Sequence, residues 1–423
     1  MDSSLLFTVI NTLLYSGTFL YYFRKSNRNN VGILLLALYL ISAIFGIIAY
    51  TKYGYCNNNI GLFPYIYLFL VLFSAFNPIL RYDDTRLSTI TPFSSVYINI
   101  IASFLVLLFV PATINILFEF VTTFREAIVN ISVVTSLYDD TAEMIQSDGQ
   151  SGSVIGIIRG IFSEIIIFYT GFYLTLKKKN KLILILLLFS SVYPLLINFM
   201  LGSRTSMTYW IIEVLIVYAL FKNFLNNSTK KLFKTVVICL LSFFLVVVTI
   251  LTIGRFTRSG SLYDPLESVV LYVGQPMLNF NAYVLDEDVC QYGDNTGPIF
   301  RKMLGLESSD NLFERQAKWA VRMKAPQGAF YTFIGDLCFD YGFFVVFFLI
   351  LIVAGFFYER RSRSNNIHLY KLFSIFFWAC LCCNGLFYFS YKTVGGNLKI
   401  ICSVLFYCLL RFIYSTATQS VKK

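Results

Sequence analysis

Residues 335–358 read GDLCFDYGFFVVFFLILIVAGFFY, with two carboxylates, Asp336 and Asp340, and then no charged residue before Glu359. A run of about 20 mainly apolar residues crosses a bilayer as a helix, because a helix satisfies its backbone donors and acceptors internally. The stretch therefore reads as a membrane span with a polar start at one face. Outward from it the pattern repeats. The chain of 423 residues is 57% hydrophobic and 13% charged, with a mean hydropathy of +0.68, more apolar than a soluble domain needs. Further runs lie near 4–23, 31–51, 60–80, 95–116, 154–176, 182–201, 205–222, 235–254, 372–391 and 398–416. The expected fold is an all-α polytopic membrane protein of about eleven transmembrane helices. The first run lacks a basic start and a small-residue cleavage site, so it reads as a retained span.

Basic clusters orient these spans. Arg24/Lys25/Arg28, Arg81/Arg86, Lys177–Lys179/Lys181, Lys222/Lys230/Lys231/Lys234 and Arg360/Arg361/Arg363 fall on alternate connections, which the positive-inside rule assigns to the cytoplasm. The net charge of +11 is thus a topology signal, and nucleic acid is not an expected partner. Met1 then lies outside and Lys423 inside. The expected organisation is eight spans over 1–254 with an outer loop at 117–153, a large outer loop at 255–334, and three spans with a cytoplasmic tail over 335–423. The acidic, polar stretch 138–153 reads as a mobile outer loop.

Two parts of the large loop mimic membrane helices. Residues 268–285 carry Gln275, Pro276, Asn279 and Asn281, which are costly in lipid, and read as an interfacial or re-entrant element lining a water-filled cavity. Residues 311–325 place Leu312, Phe313, Ala317, Ala320 and Val321 near helical spacing, the pattern of a helix on the membrane surface. Most cysteines, such as Cys382 and Cys383, fall inside apolar runs and read as small apolar residues. Cys56 and Cys290 share a compartment in this topology, without a disulfide being the better reading. His368 is the only histidine and reads as a solvated loop residue. Neither a metal site nor a cofactor is expected.

Polar residues at the outer face suggest chemistry. Gly202-Ser203-Arg204-Thr205-Ser206 joins two apolar runs, and Arg255 and Arg258 close the run before the large loop. Residues three apart share a helix face, and guanidinium forks match phosphate oxygens. Arg204, Arg255 and Arg258 are therefore candidates to grip a pyrophosphate; the alternative is arginines snorkelling to lipid headgroups. Tyr272, Gln275, Asn279, Asn281, Tyr283, Trp319 and Tyr331 suit carbohydrate by hydrogen bonding and stacking, or else fold the loop onto the membrane. Asp264, Glu267, Asp336 and Asp340 are candidate bases for deprotonating a hydroxyl, and Asp336 equally suits an ion pair. Arg159, Glu164 and Glu213 inside the membrane read as a structural ion-pair set or as a cavity for a lipid phosphate.

The motifs GSRTS, GRFTRSG, YVGQPMLNFNAY and GAFYTFIGDLCFDYGFF, spread over 195–360, resemble those of the Wzy-type O-antigen (oligosaccharide repeat unit) polymerases. That resemblance implies a metal-independent glycosyltransferase of GT-C-like architecture in the bacterial inner membrane. Its substrate would be an undecaprenyl-pyrophosphate-linked oligosaccharide, flipped outward and built into O-antigen, capsule or exopolysaccharide, and a chain-length regulator would be a partner. Arg204, Arg255 and Arg258 would hold the pyrophosphate, Tyr272, Gln275, Asn279 and Tyr331 would contact sugar, and Asp336 would be the base. The related O-antigen ligases use an outer-loop histidine, which residues 255–333 lack. A flippase would be expected to show internal repeats, and none is evident. A membrane acyltransferase would want a catalytic histidine.

Overall fold

The computed structural model describes residues 3–25, 30–56, 60–82, 87–91, 93–129, 154–258, 265–326, 328–357 and 365–420. The expected outer loop at 138–153, Asp264 and the side chains of Arg255 and Arg258 lie outside that description. In chain order the helices are α1 (Ser3–Lys25), α2 (Asn30–Tyr53), α3 (Leu62–Leu80), α4 (Ser95–Val129), α5 (Val154–Thr175), α6 (Lys181–Ser190), α7 (Tyr193–Met200), α8 (Arg204–Phe221) and α9 (Asn227–Arg258). They continue with α10 (Pro265–Asn279), α11 (Pro298–Met303), α12 (Leu312–Ala320), α13 (Thr332–Tyr341), α14 (Phe343–Phe357), α15 (Leu369–Asn384) and α16 (Val394–Ser420).

This is an all-α polytopic membrane architecture. Among the described residues, eight helical stretches are long and apolar enough to cross a bilayer, and a bent pair brings the number to nine if it is one span. Each of the eleven expected runs falls on helix, but the runs differ in kind. The run at 182–201 is split into α6 and α7, with Pro194 at the start of α7. Proline has no N–H to give and crowds the carbonyl one turn back; Trp210 Nε1 donates to the Ser191 carbonyl at this break, at 3.0 Å. The run at 335–358 is two helices, α13 and α14, bent by 120° at Gly342, whose φ of +75° is cheap only for glycine. The run at 372–391 becomes α15, of only 16 residues.

The chain forms two compact units. The first comprises Met1–Thr85, Tyr263–Ser362 and Phe377–Leu398. Within it α10 packs along α2 so closely that a Cβ on Gly274 would sit 2.6 Å from the Phe45 carbonyl carbon, the small-residue contact that lets helix backbones approach in a membrane. Ser42 Oγ donates to the Val273 carbonyl at 2.7 Å across the same contact. Tyr39 donates to the Cys382 carbonyl and Trp378 Nε1 to the Ala75 carbonyl, at 2.9 and 2.7 Å, tying α15 to α2 and α3. Residues 268–285 are α10 followed by a π-helical turn, Phe280–Val284, and are not among the spans. Cys56 and Cys290 are free thiols.

The second unit comprises Arg86–Leu262, Arg363–Phe376 and Lys399–Lys423. Two-residue strands β1 (Thr89–Ile90) and β2 (Asn366–Ile367) pair in parallel, Thr89 opposite Asn366. The Tyr414 hydroxyl donates to the Thr91 carbonyl at 2.6 Å and accepts from the Leu369 amide at 3.2 Å. Beside them His368 is half-buried, stacked on Tyr370 and edge-on to Tyr414, rather than solvated as its polar sequence neighbours imply. Of the intramembrane charges, Glu164 pairs with Lys399 at 3.5 Å, and Arg159 Nε donates to the Leu108 carbonyl at 2.9 Å.

Candidate functional site

The polar segment between the π-helical turn and α13 is folded onto its own unit by buried polar side chains. Asp340, wholly buried in α13, accepts the amide of Asn295 at 3.1 Å, the amide of Thr296 at 2.7 Å and the Thr296 hydroxyl. Asn397, wholly buried in the first turn of α16, accepts from the Ile299 amide at 3.1 Å and donates to the carbonyls of Thr296 and Tyr391. Asp294 accepts from Lys318 Nζ and Trp319 Nε1, both at 2.8 Å, with Arg301 Nε 3.8 Å away. Burial by itself would raise the Asp294 pKa; the hydrogen bonds from Lys318 and Trp319 and the Lys318 charge outweigh it and hold the carboxyl below its ordinary range. Buried polar groups need partners, and here the partners are the backbone of the segment itself.

Helix α12 turns its polar side inward and leaves apolar side chains outward, as a helix on the membrane surface would. Arg315 and Trp319, four residues apart, are buried, while Phe313 is 44% and Val321 91% exposed. Asn311 caps the helix, its side chain accepting from the Phe313 amide at 2.9 Å.

Under this cover lies a small cleft with a volume of about 30 Å³, room for a water or two. Gln291, Asn295, Arg315, Gln316, Tyr331, Asp336 and Lys392 supply its polar lining. Asp336 Oδ2 accepts the Phe389 amide at 2.8 Å and lies 3.3 Å from Lys392 Nζ. The start of α13 is strained: Thr332 has φ +66°, rare for a β-branched residue. Its amide and those of Tyr331 and Phe333 are held by the carbonyls of Phe387 and Gly385 at 2.8–3.2 Å. Strain of this kind costs on the order of 1–3 kcal/mol and persists only where neighbours over-determine it. It sets the pitch of the helix that carries Asp336.

Of the residues expected from sequence, Asp336 and Tyr331 line the cleft. Asn279 is taken up elsewhere: its Oδ1 accepts from Tyr55 at 3.1 Å and from Cys56, and its Nδ2 donates to the Phe330 carbonyl at 3.1 Å. Gln275 accepts from the same Tyr55 hydroxyl at 3.3 Å. Tyr272 packs against Phe330 and Phe387. These three fix α10 to its surroundings. Arg204 opens α8 behind the Ser203 cap and, with Arg255 and Arg258 on α9, belongs to the second unit, whereas the cleft belongs to the first. Arg315, Lys392, Gln291, Asn295 and Gln316 were not singled out by sequence. Lys392 lies 77 residues from Arg315, a separation only the fold closes. Among the described residues no cluster of His, Cys, Asp and Glu could hold a metal ion. No family model matches the chain, and no match was found among curated proteins or solved structures.

Proposed function

We propose that this chain is a metal-independent membrane glycosyltransferase that polymerises lipid-pyrophosphate-linked oligosaccharide repeat units at the outer face of a bacterial inner membrane. The observation that carries the reading is the cleft, where a carboxylate, two cations, amides and a tyrosine converge beneath a folded polar cover in a multi-pass membrane protein. The motif resemblance to Wzy-type polymerases supports the same reaction, and the basic clusters support an outer location for the cleft.

In this reading Asp336 takes the proton of the acceptor hydroxyl as its oxygen attacks the anomeric carbon of the donor. The bond from that carbon to the pyrophosphate oxygen breaks, and its electron pair leaves with the lipid pyrophosphate. The motif resemblance assigns Arg204, Arg255 and Arg258 to binding the pyrophosphate of the substrate. Lys392 fixes the carboxylate from 3.3 Å, and Tyr331, Gln316 and Asn295 offer sugar contacts. The test is a reconstituted reaction: purified protein in lipid, given lipid-linked repeat units and no divalent cation, makes products of two or more units. Wild-type protein that leaves the single units unchanged overturns the proposal.

A further inference from the structure

The end of α11 holds apolar side chains outward on a well-braced backbone. The helix closes on Gly305, whose φ is +75°. The Gly305 amide donates to the Lys302 carbonyl at 2.9 Å and the Leu306 amide to the Arg301 carbonyl at 3.1 Å, the two bonds of a Schellman cap. Arg301 braces the same turn, its Nη1 donating to the Tyr292 carbonyl at 2.8 Å and its Nε to the Glu307 carbonyl at 2.9 Å. Yet Met303 is 74% and Leu304 78% exposed, with Phe300 and Leu306 exposed beside them. An apolar contact made by the residue after the glycine usually accompanies this cap; here that residue, Leu306, is left open. In water such a cluster is unfavourable in proportion to its apolar area, and clusters of this kind mark a surface that something covers.

The position of the turn identifies the cover. Thr296 and Ile299, at the head of α11, are bonded to Asn397 in the first turn of α16, and α16 is long and apolar enough to span from Val394 onward. Asp340, which holds Asn295 and Thr296, lies just before the Gly342 bend that opens α14. Helix α11 is therefore tethered at the level where α14 and α16 enter the bilayer. The lipid-facing side of α14 reaches the same place. Phe344, Phe348, Ile352 and Phe356 recur every four residues and are all exposed, a stripe suited to acyl chains. Phe300 adjoins its head: a Cβ on Gly297 would lie 3.4 Å from Phe300 and 3.8 Å from the Tyr341 hydroxyl. Tyr341 is itself exposed, three residues before Phe344. Lys302, the ammonium nearest the cluster in sequence, is paired with Asp310 at 2.6 Å, so the turn can enter an apolar layer without an unmatched charge. We propose that α11 and its capped turn are an anchor seated in the leaflet at which α14 and α16 begin, with Met303, Leu304 and Leu306 among the acyl chains just below the headgroups. The anchor holds the polar segment of residues 286–331 down on the membrane. It rests neither on the polymerase reading nor on which face of the membrane is outside.

The experiment puts a reporter on the turn. Full-length Leu304→Trp and wild type are reconstituted into phosphatidylcholine vesicles, and separately into vesicles of the same lipid with brominated acyl chains, which quench an indole they touch. The emission of the added tryptophan is the variant's minus the wild type's in each lipid. Leu304 is exposed, so the indole needs no repacking, and an unfolding midpoint equal to wild type checks that the variant is folded; Met303→Trp takes its place if the midpoint falls. The expected result is an added emission that is blue-shifted and loses most of its intensity in the brominated lipid. Emission at the wavelength of a water-exposed indole, unquenched by bromine, overturns the anchor. Blue-shifted emission that bromine leaves unchanged overturns it equally, because protein, a second copy or another chain, then covers the turn in place of lipid.

Discussion

Asp294 shows how single residues organise the polar cover. Its carboxylate is wholly buried and is held by Lys318 and Trp319. Trp319→Phe keeps the ring but removes the indole N–H, leaving an acceptor short of a partner. The expected loss is about 1–3 kcal/mol, read as a lower unfolding midpoint in detergent; an unchanged midpoint contradicts the role. The depressed pKa of Asp294 gives the pH dependence its sign. A carboxyl whose folded pKa lies below its unfolded value of about 3.9 stabilises the fold above that value. The contribution is lost as pH falls through the folded pKa. Limited proteolysis within residues 286–331 is therefore expected to accelerate below about pH 4, and Asp294→Asn is expected to flatten that rise. Asp336 and Tyr331 were legible in the sequence because polar groups at the start of an apolar run stand out. Arg315 and Lys392 were not, since a buried arginine satisfied by backbone carbonyls leaves no periodic trace.

At the scale of elements, hydropathy located the helices well, because lipid demands apolar side chains over a fixed length. It failed where backbone decides. The run at 335–358 is apolar throughout its middle, yet Gly342 turns it through 120°. Helix α12 was legible as amphipathic, and its apolar Phe313 and Val321 are exposed while Arg315 and Trp319 pack inward. Residues 268–285 were expected to be a non-spanning element on the strength of Gln275, Asn279 and Asn281. The structure gives those amides specific work: Asn281 pairs with both the amide and the carbonyl of Gly61, at 2.8 and 2.7 Å. The contact of α10 with α2 supplies a direct test. Gly274→Leu would drive its side chain into the Phe45–Gly46 backbone, and overpacking of this kind costs about 1–3 kcal/mol or more. The expected result is a marked fall in the unfolding midpoint and in folded yield. A variant as stable as wild type contradicts the packing described.

For the whole molecule, the two-unit organisation places the cleft in one unit and Arg204, Arg255 and Arg258 in the other. The sequence conveyed the membrane class and the polarity of the segment before α13, both of which follow from composition along the chain. It did not convey the cleft, which is closed by residues more than 100 positions apart, from Gln291 to Lys392. The decisive measurement is the length distribution of surface polysaccharide in cells that lack this gene and are complemented with wild type, Arg204→Ala or Asp336→Asn at equal membrane levels. The account predicts long chains with wild type, and only single repeat units at the surface with either variant. Wild-type chain lengths in both variants contradict it, as does loss of every surface sugar, single units included, in the uncomplemented cells.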